Sequence, residues 1–286
     1  MHIYQPKDAS VCLGSRRVIF LGDSVTRKLF FQLVNTIDAG LLTEPPDPKL
    51  KHSDHHLTSD SGVQLSFFWD PFLNTTRVNE YLSLKTQKAS SSKSASSDRP
   101  ALLVLGSGLW YLRYANSSGG MSAWEANIGT ILNSISVANG KAADQVVVLP
   151  IEDVVSSNLD YERASTMLAS DRDAMNSDLY HRIRSSHSSN FFSSASALDV
   201  SLPLVFNDML DPSQTDDGLH FSDVTVRMQA NILLNLVCND RLPKVFPLDK
   251  TCCRRYPWPS LIHVVVLIAA ILWGPVAWFL SRYKSK

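Results

Sequence analysis

Two short polar motifs at opposite ends of the chain carry the residue types of a nucleophilic site. The tripeptide GDS at 22–24 supplies a serine hydroxyl, and DGLH at 217–220 supplies an imidazole with a carboxylate three residues before it. This offset across a turn lets Asp217 bond Nδ1 of His220, so that Nε2 is left to accept a proton. We therefore interpret Ser24, His220 and Asp217 as nucleophile, base and orienting acid, although each motif alone also fits a helix cap or a loop histidine.

The hydropathy pattern predicts the elements that must position these motifs. Apolar runs predict five strands, at 17–21, 63–69, 101–105, 145–149 and 201–206. Apolar residues at helical spacing come after each predicted strand except the second. The last of these helices is expected to be capped by Ser222, with one apolar face made by Val224, Met228, Ile232 and Leu236. The alternation predicts a three-layer α/β domain with a roughly five-stranded parallel sheet. Sites in such sheets lie at the carboxyl ends of strands, where both motifs are expected.

Composition and the C-terminal segment indicate which partners the protein is expected to have. The 27 basic and 27 acidic residues give zero net charge without a basic stripe, so no nucleic-acid partner is expected. Residues 261–280 carry no charge, and at about 1.5 Å per residue they span roughly 30 Å, the thickness of a bilayer core. We predict a transmembrane helix there, with a buried core helix as the alternative. The predicted organisation is a catalytic domain at 1–250, a cysteine- and proline-containing linker at 251–260, the membrane helix, and a basic tail at 281–286.

The orientation of this domain is open from charge alone, because basic residues flank both ends of the apolar segment. Residues 1–13 contain no apolar core of a signal peptide, so none is expected, and as written the chain would be tail-anchored with a cytosolic domain. The glycosylation sequons at Asn74 and Asn116 instead favour a domain in the secretory lumen.

Four cysteines allow three complete pairings, and we predict one or two disulfides among Cys12, Cys238, Cys252 and Cys253. Their spacing lacks the paired pattern of a zinc site. The histidine cluster KHSDHH at 51–56 is interpreted as a solvated loop rather than a metal site, so no metal and no bound cofactor are expected.

Longer stretches around the two motifs resemble a known family. FLGDSVTRKLF at 20–30 resembles the GDSxxR opening of the PC-esterase branch of the GDSL/SGNH hydrolases. DDGLHFSDVTVRMQANILLNLVCND at 216–240, followed by TCCRRYPWPS at 251–260, resembles the end of the luminal domain of polysaccharide and sialic-acid O-acetyltransferases, including fungal capsule O-acetyltransferase-like proteins. The resemblance runs from about Cys12 to the membrane helix. It implies an SGNH-like fold and a Golgi membrane protein with a luminal catalytic domain.

The resemblance also implies partners and further site residues. Members act on a carbohydrate acceptor with acetyl-CoA or another acetyl donor as co-substrate, and often continue into a multi-span acyltransferase region. The wider SGNH group uses a glycine and an asparagine as oxyanion donors, whereas the loop GSGLW at 106–110 has no asparagine. We therefore expect the oxyanion donors to be backbone amides, those of Ser24, Gly106 and Gly108.

Three further residues are candidate substrate contacts. Arg27 follows Ser24 by one helical turn and is a candidate for an anionic donor or a sugar carboxylate, with a helix-surface role as the alternative. Trp110, which is equally suited to the core, and Arg113 follow the third strand, where an aromatic ring can stack on a sugar. The expected function is acyl transfer through an acetyl-serine. A carbohydrate acetylesterase with the same triad and a non-catalytic glycan-binding subunit are the alternatives.

Overall fold

A computed structural model describes residues 2–41, 44, 47–82, 99–138, 142–188, 200–239 and 241–242. The chain divides into two units, Met1–Thr251 and Cys252–Lys286. The predicted linker, membrane helix and tail lie outside the described residues. Within the described ranges, no helix combines the length and the apolar character needed to cross a bilayer.

The described residues form a six-stranded mixed sheet. Its strands are β1 (Arg17–Gly22), β2 (His55–Thr58), β3 (Gln64–Trp69), β4 (Leu102–Gly106), β5 (Gln145–Val148) and β6 (Val200–Ser201). Their order is β2-β3-β1-β4-β5-β6. All neighbours pair in parallel except β2, which runs antiparallel to β3 at one edge.

The predicted parallel sheet of about five strands is present, but two details of the prediction are wrong. The sheet has an additional edge strand, β2, which includes His55 and His56 from the cluster interpreted as a loop. This strand has only four residues and little apolar character, so hydropathy does not reveal it. The predicted strand at 201–206 ends at Ser201 instead, because Pro203 has no backbone N–H for a ladder, and Val205–Asp208 is helical.

Ten α-helices in the described ranges complete the fold. They are α1 (Pro6–Leu13), α2 (Ser24–Ile37), α3 (Thr76–Leu82), α4 (Leu109–Arg113), α5 (Ala115–Ser118), α6 (Gly120–Ala138), α7 (Tyr161–Thr166), α8 (Ala169–Ser188), α9 (Val205–Asp208) and α10 (Asp223–Cys238). Helices α1, α2 and α10 pack on one face of the sheet, and α3, α4, α6 and α8 pack on the other.

The central strand β1 shows why both faces are covered. Its side chains alternate, so Val18 and Phe20 belong to the core beneath α1, α2 and α10, whereas Ile19 and Leu21 belong to the opposite core. All four are buried. An uninterrupted apolar run of this kind is what a strand covered on both faces requires.

Helix α10 buries a different face from the one predicted. Val224 and Leu236 are exposed, at 71% and 38%, and the buried apolar positions are Val226, Ala230, Leu233, Leu234 and Val237. At about 100° per residue the four predicted positions share an arc of about 120°, but the buried positions lie on nearly the opposite side of the helix, which packs on α1 and α2. Ser222 occupies the N-cap position, but its hydroxyl donates to Gln214 Oε1 at 2.7 Å rather than capping a helix amide.

The prediction of a disulfide is confirmed, with Cys12 of α1 bonded to Cys238 of α10. Asn231 supports the same junction, because its side-chain oxygen accepts the Tyr4 amide at 2.8 Å and its Nδ2 donates to the His2 carbonyl oxygen at 2.6 Å. The first described residues, α1 and α10 are therefore held together covalently and by hydrogen bonds. Cys252 and Cys253 lie outside the described residues.

Candidate active site

Ser24 is the first residue of α2, directly after the turn that ends β1. The turn requires glycine, because a Cβ on Gly22 would lie 2.4 Å from the Gly106 carbonyl oxygen of the neighbouring strand. Asp23 caps the helix, and its Oδ1 accepts the amides of Val25 and Thr26 at 3.1 and 3.2 Å. The Ser24 amide makes no hydrogen bond among the described residues and points from a helix N-terminus that favours negative charge.

The motif at 217–220 lies in the loop before α10 and is held by the segment at 155–159. Gly218 adopts a positive φ of 73°, and its carbonyl accepts the Val155 amide at 2.8 Å. A Cβ on Gly218 would lie only 2.5 Å from the Val155 carbonyl oxygen. Asn158 Nδ2 also donates to the Thr215 carbonyl at 3.0 Å. This close packing fixes the turn that presents His220.

The structure brings Ser24, His220 and Asp217 together in one hydrogen-bonded series. His220 Nε2 lies 2.9 Å from Ser24 Oγ, and His220 Nδ1 lies 2.7 Å from Asp217 Oδ2. The other carboxylate oxygen, Oδ1, accepts the amides of Leu219 at 2.9 Å and His220 at 2.7 Å. This is the geometry in which an imidazole can take a proton from a serine hydroxyl.

The electrostatics of Asp217 suit an orienting acid. Partial burial acts to raise its pKa, but the hydrogen bonds from the His220 amide, the His220 ring and the Leu219 amide outweigh burial and lower the pKa to about 2. Asp217 is therefore ionised at neutral pH. Its negative charge favours the tautomer of His220 that carries the proton on Nδ1 and leaves Nε2 free for Ser24.

The loop after β4 supplies further unpaired amides beside this series. Gly108 has a φ of 151°, and a Cβ there would lie 2.4 Å from Ile151 Cγ1, so only glycine fits. The amides of Gly108, Leu109 and Trp110 have no backbone acceptor among the described residues. Gly106 pairs with Gly22 across β1 and β4. The roles of Ser24, Gly106 and Gly108 as oxyanion donors stay a prediction.

Ser24 and His220 open onto a cavity of about 210 Å³. Its aromatic wall contains Trp110 and Tyr114, whose rings lie 5.2 Å apart, and His52, which stacks on Trp69 at 4.4 Å. Its cationic side chains are Arg27, Lys51, Arg113 and Arg163. The cavity therefore combines ring faces and positive charge next to the serine, a combination suited to a sugar or an anionic group.

The three predicted substrate contacts all line this cavity, although they are partnered differently. The Arg27 guanidinium lies 5.8 Å from the Trp69 ring and donates to the Lys51 carbonyl, and burial lowers its pKa. Arg113 is paired with Glu162 at 3.3 Å. Trp110 is partly exposed on the cavity wall rather than fully buried in the core.

The remaining predicted residues lie elsewhere. The side chains of Asn74, in the turn before α3, and Asn116, in α5, are exposed and do not line the cavity. No group of three or more His, Cys, Asp or Glu side chains that could hold a metal occurs in the described ranges. That no metal or bound cofactor is needed stays a prediction.

Sequence reasoning missed His52, Trp69, Tyr114 and Arg163. Trp69 could have been predicted from the sequence, because it ends β3 and the carboxyl-end rule that selected Ser24 applies equally to that strand. His52 belongs to the cluster interpreted as a solvated loop, and its position above Trp69 depends on the path of the chain before β2. Arg163 lies on α7, a short helix that carries no motif.

Ser24, His220 and Asp217 form a hydrogen-bonded series at the carboxyl edge of a mostly parallel sheet. This arrangement is that of a nucleophilic serine site.

No protein-family model matches the chain. Over 292 residues the chain is 24% identical to the N-acetylneuraminate (7)9-O-acetyltransferase of Danio rerio. That match includes 100% of this chain and 34% of the relative, so the chain spans about a third of the length of this curated relative.

Two solved structures are also similar to this chain. A putative acylhydrolase from Bacteroides fragilis is 12% identical with a TM-score of 0.47, and the match covers 82% of this chain and 93% of that one. A catalytic mutant of an acetylxylan esterase from Geobacillus stearothermophilus is 10% identical with a TM-score of 0.43, and the match covers 78% of this chain and 94% of that one.

Proposed function

We propose that this chain transfers an acetyl group to a carbohydrate hydroxyl through an acetyl-serine on Ser24. The observation that carries the proposal is the hydrogen-bonded series from Ser24 Oγ through His220 to Asp217, opening onto the aromatic and cationic cavity. The 24% identity to an N-acetylneuraminate O-acetyltransferase along the whole chain supports a carbohydrate acceptor. We assign the chain to the PC-esterase branch of the SGNH hydrolases as part of the same proposal.

The proposed reaction has two half-steps. In the first, His220 Nε2 takes the Ser24 proton while Oγ attacks the acetyl carbonyl, and the oxyanion is stabilised by the Ser24 amide and a second amide of Gly106 or Gly108. The intermediate collapses, the bond to the leaving group breaks, and protonated His220 returns the proton to that group. In the second, His220 deprotonates the sugar hydroxyl, which attacks the acetyl-serine, the bond to Ser24 Oγ breaks, and protonated His220 returns the proton to Ser24 Oγ.

The cavity residues receive roles within this proposal. Trp110 stacks on the sugar ring, and Arg27 with Arg113 binds an anionic group of the donor or acceptor. Acetyl-CoA or another activated acetyl ester is the proposed co-substrate. A Golgi membrane location with a luminal domain, anchorage in the bilayer through 261–280, and cooperation with a multi-span acyltransferase region are parts of the proposal. The Cys12–Cys238 disulfide supports an oxidising compartment.

Acetate release with and without an acceptor tests this proposal. The full chain is incubated with acetyl-CoA or p-nitrophenyl acetate, with and without N-acetylneuraminate, and the products are identified by mass spectrometry. We expect acetylated sugar, and a mass increase of one acetyl group on Ser24 when the acceptor is omitted. Ser24→Ala should lose both signals, with a rate loss of several orders of magnitude.

Each other outcome has a defined meaning. If acetate is released equally with and without N-acetylneuraminate, and no acetylated sugar forms, the protein is an acetylesterase and the proposed transfer is wrong. A folded protein that forms no acetyl-serine with either donor would identify a non-catalytic binding subunit.

A further inference from the structure

A second, smaller cavity lies directly behind the candidate active site. Its volume is about 20 Å³, close to that of one water molecule, and Glu152 on the segment after β5 forms part of its wall. The two cavities share Asp23, Val25 and Leu109 as a common wall. Gly106 and Ser107, where the predicted oxyanion loop begins, also line the smaller cavity. Glu152 therefore lies behind the corner where negative charge develops during acyl transfer.

Two acidic residues, Asp23 and Glu152, line this small space, and within the described part of the chain only Asp23 accepts hydrogen bonds that stabilise its charge. Asp23 Oδ1 accepts the amides of Val25 and Thr26 and the Thr26 hydroxyl, at 3.1 to 3.3 Å. Glu152 is only 8% exposed, and its carboxyl group makes no hydrogen bond among the described residues. At neutral pH we do not expect two buried carboxyl groups so arranged to carry charge together, because desolvation and mutual repulsion oppose it.

We propose that Glu152 is a positioning residue that holds a proton beside Asp23 and so keeps a second negative charge away from the oxyanion corner. Asp23 keeps its charge, which fixes the first turn of α2 and leaves the Ser24 amide free. This role rests on the proposed acyl transfer, since it acts on the same transition state.

The charges around Glu152 agree with this division of roles. Burial, followed by the charges of Asp23 and Asp153, raises the pKa of Glu152 to about 8, and Lys28 only partly opposes them. Lys28 is itself paired with Asp223 at 3.4 Å, and Asp153 with Arg172 at 3.6 Å. Burial also raises the pKa of Asp23, while its hydrogen bonds and the charge of His220 act to lower it. Because Asp23 accepts three hydrogen bonds and Glu152 accepts none among the described residues, we place the retained proton on Glu152.

The activity test is a pH profile of kcat for p-nitrophenyl acetate between about pH 6 and pH 10. When Glu152 ionises above about pH 8, its charge opposes the oxyanion, and we expect kcat to fall about fivefold. Glu152→Gln keeps the shape of the neutral acid and should remove this alkaline fall. Asp153→Asn is the matched control, because Asp153 is adjacent in sequence but lines neither cavity, and it should retain the fall.

The outcomes separate this inference from the proposed function. A Glu152→Gln profile with the same alkaline fall as the unsubstituted protein would overturn the positioning role, and so would an equal loss of kcat at every pH. If no ester is turned over, the proposed function fails, and unfolding then tests the buried proton.

The unfolding test compares Tm for the unsubstituted protein and Glu152→Gln at a series of pH values. Because the folded pKa of Glu152 lies above the unfolded value of 4.5, its contribution to stability is complete below about pH 4.5 and is lost as pH rises to about 8. Tm should therefore fall more steeply with pH in the unsubstituted protein than in Glu152→Gln. Parallel Tm curves would show that Glu152 holds no proton in the folded protein.

Discussion

Replacing Asp217 with asparagine tests the orienting acid without changing the size of the side chain. Asparagine retains one acceptor oxygen, which the amides of Leu219 and His220 would occupy in place of Oδ1. Its NH2 group would then face His220 Nδ1, where Asp217 Oδ2 lies at 2.7 Å. A donor at this position moves the ring proton to Nε2, the nitrogen that must accept the Ser24 proton. We expect kcat/KM to fall about 10⁴-fold, which corresponds to about 5.5 kcal/mol of transition-state stabilisation.

The same substitution should cost far less stability than activity. The pKa of Asp217 is about 2 against a reference of 3.8, a gross difference of roughly 2.5 kcal/mol. Because its side chain is 43% exposed and screened by solvent, we expect a loss of only about 1 kcal/mol in unfolding free energy. The folded pKa is lowered, so this contribution is present above about pH 4 and disappears as pH falls toward 2.

Ester hydrolysis and chemical unfolding measure the two effects, with Asp216→Asn as the control. Asp216 is exposed and makes no hydrogen bond among the described residues, so its substitution should leave both quantities nearly unchanged. Activity of Asp217→Asn within about tenfold of the unsubstituted protein would refute the orienting role. A larger loss in Asp216→Asn would show that the acid is assigned to the wrong residue.

Three further perturbations test the cavity, the disulfide and the orientation. Arg27→Gln should raise KM for acetyl-CoA about tenfold with little effect on KM for uncharged p-nitrophenyl acetate, because a bond to a charged group contributes about 1.5–3 kcal/mol; equal effects would indicate a packing role. The double substitution Cys12→Ser and Cys238→Ser should lower the unfolding free energy by about 5 kcal/mol in denaturant titrations, because the disulfide closes a loop of 226 residues. An unchanged midpoint of the unfolding transition would contradict this. When the protein is expressed in a eukaryotic host, Asn74→Gln and Asn116→Gln should each remove one shift in gel mobility caused by endoglycosidase treatment. If no shift occurs and the Cys12 and Cys238 thiols are fully reactive, a cytosolic domain is favoured.

The arrangement of Ser24, His220 and Asp217 could be predicted because its decisive relations are local. The three-residue offset between Asp217 and His220, and the strand–turn–helix around Ser24, are properties of short segments. Only one long-range step was needed, the 196 residues between Ser24 and His220. The carboxyl-end rule for parallel sheets provides that step, since it brings the ends of distant strands to one edge.

The features that escaped prediction depend on packing between distant segments. The edge strand β2 is recognisable only from its pairing with β3, because a strand of four residues has too weak a pattern. The buried face of α10 is determined by its contact with α2 and the N-terminal residues, not by spacing alone. The sequence gives one indication of Glu152, an acidic residue directly after the apolar run at 146–151. The cavity that it lines cannot be predicted, because its walls also include Asp23 and the loop after β4, which are distant in sequence.

The disulfide between Cys12 and Cys238 also determines how this unit would carry mechanical load. The Cα atoms of the two cysteines lie 5.5 Å apart, and the bond closes a covalent ring of the chain between them. Tension applied to residues outside this ring passes through the sulfur atoms and bypasses the sheet, Ser24 and His220. About 750 Å of contour length, from 226 residues at about 3.3 Å each, stays hidden in a pulling experiment until the bond is reduced. The catalytic geometry is thereby insulated from force along the chain.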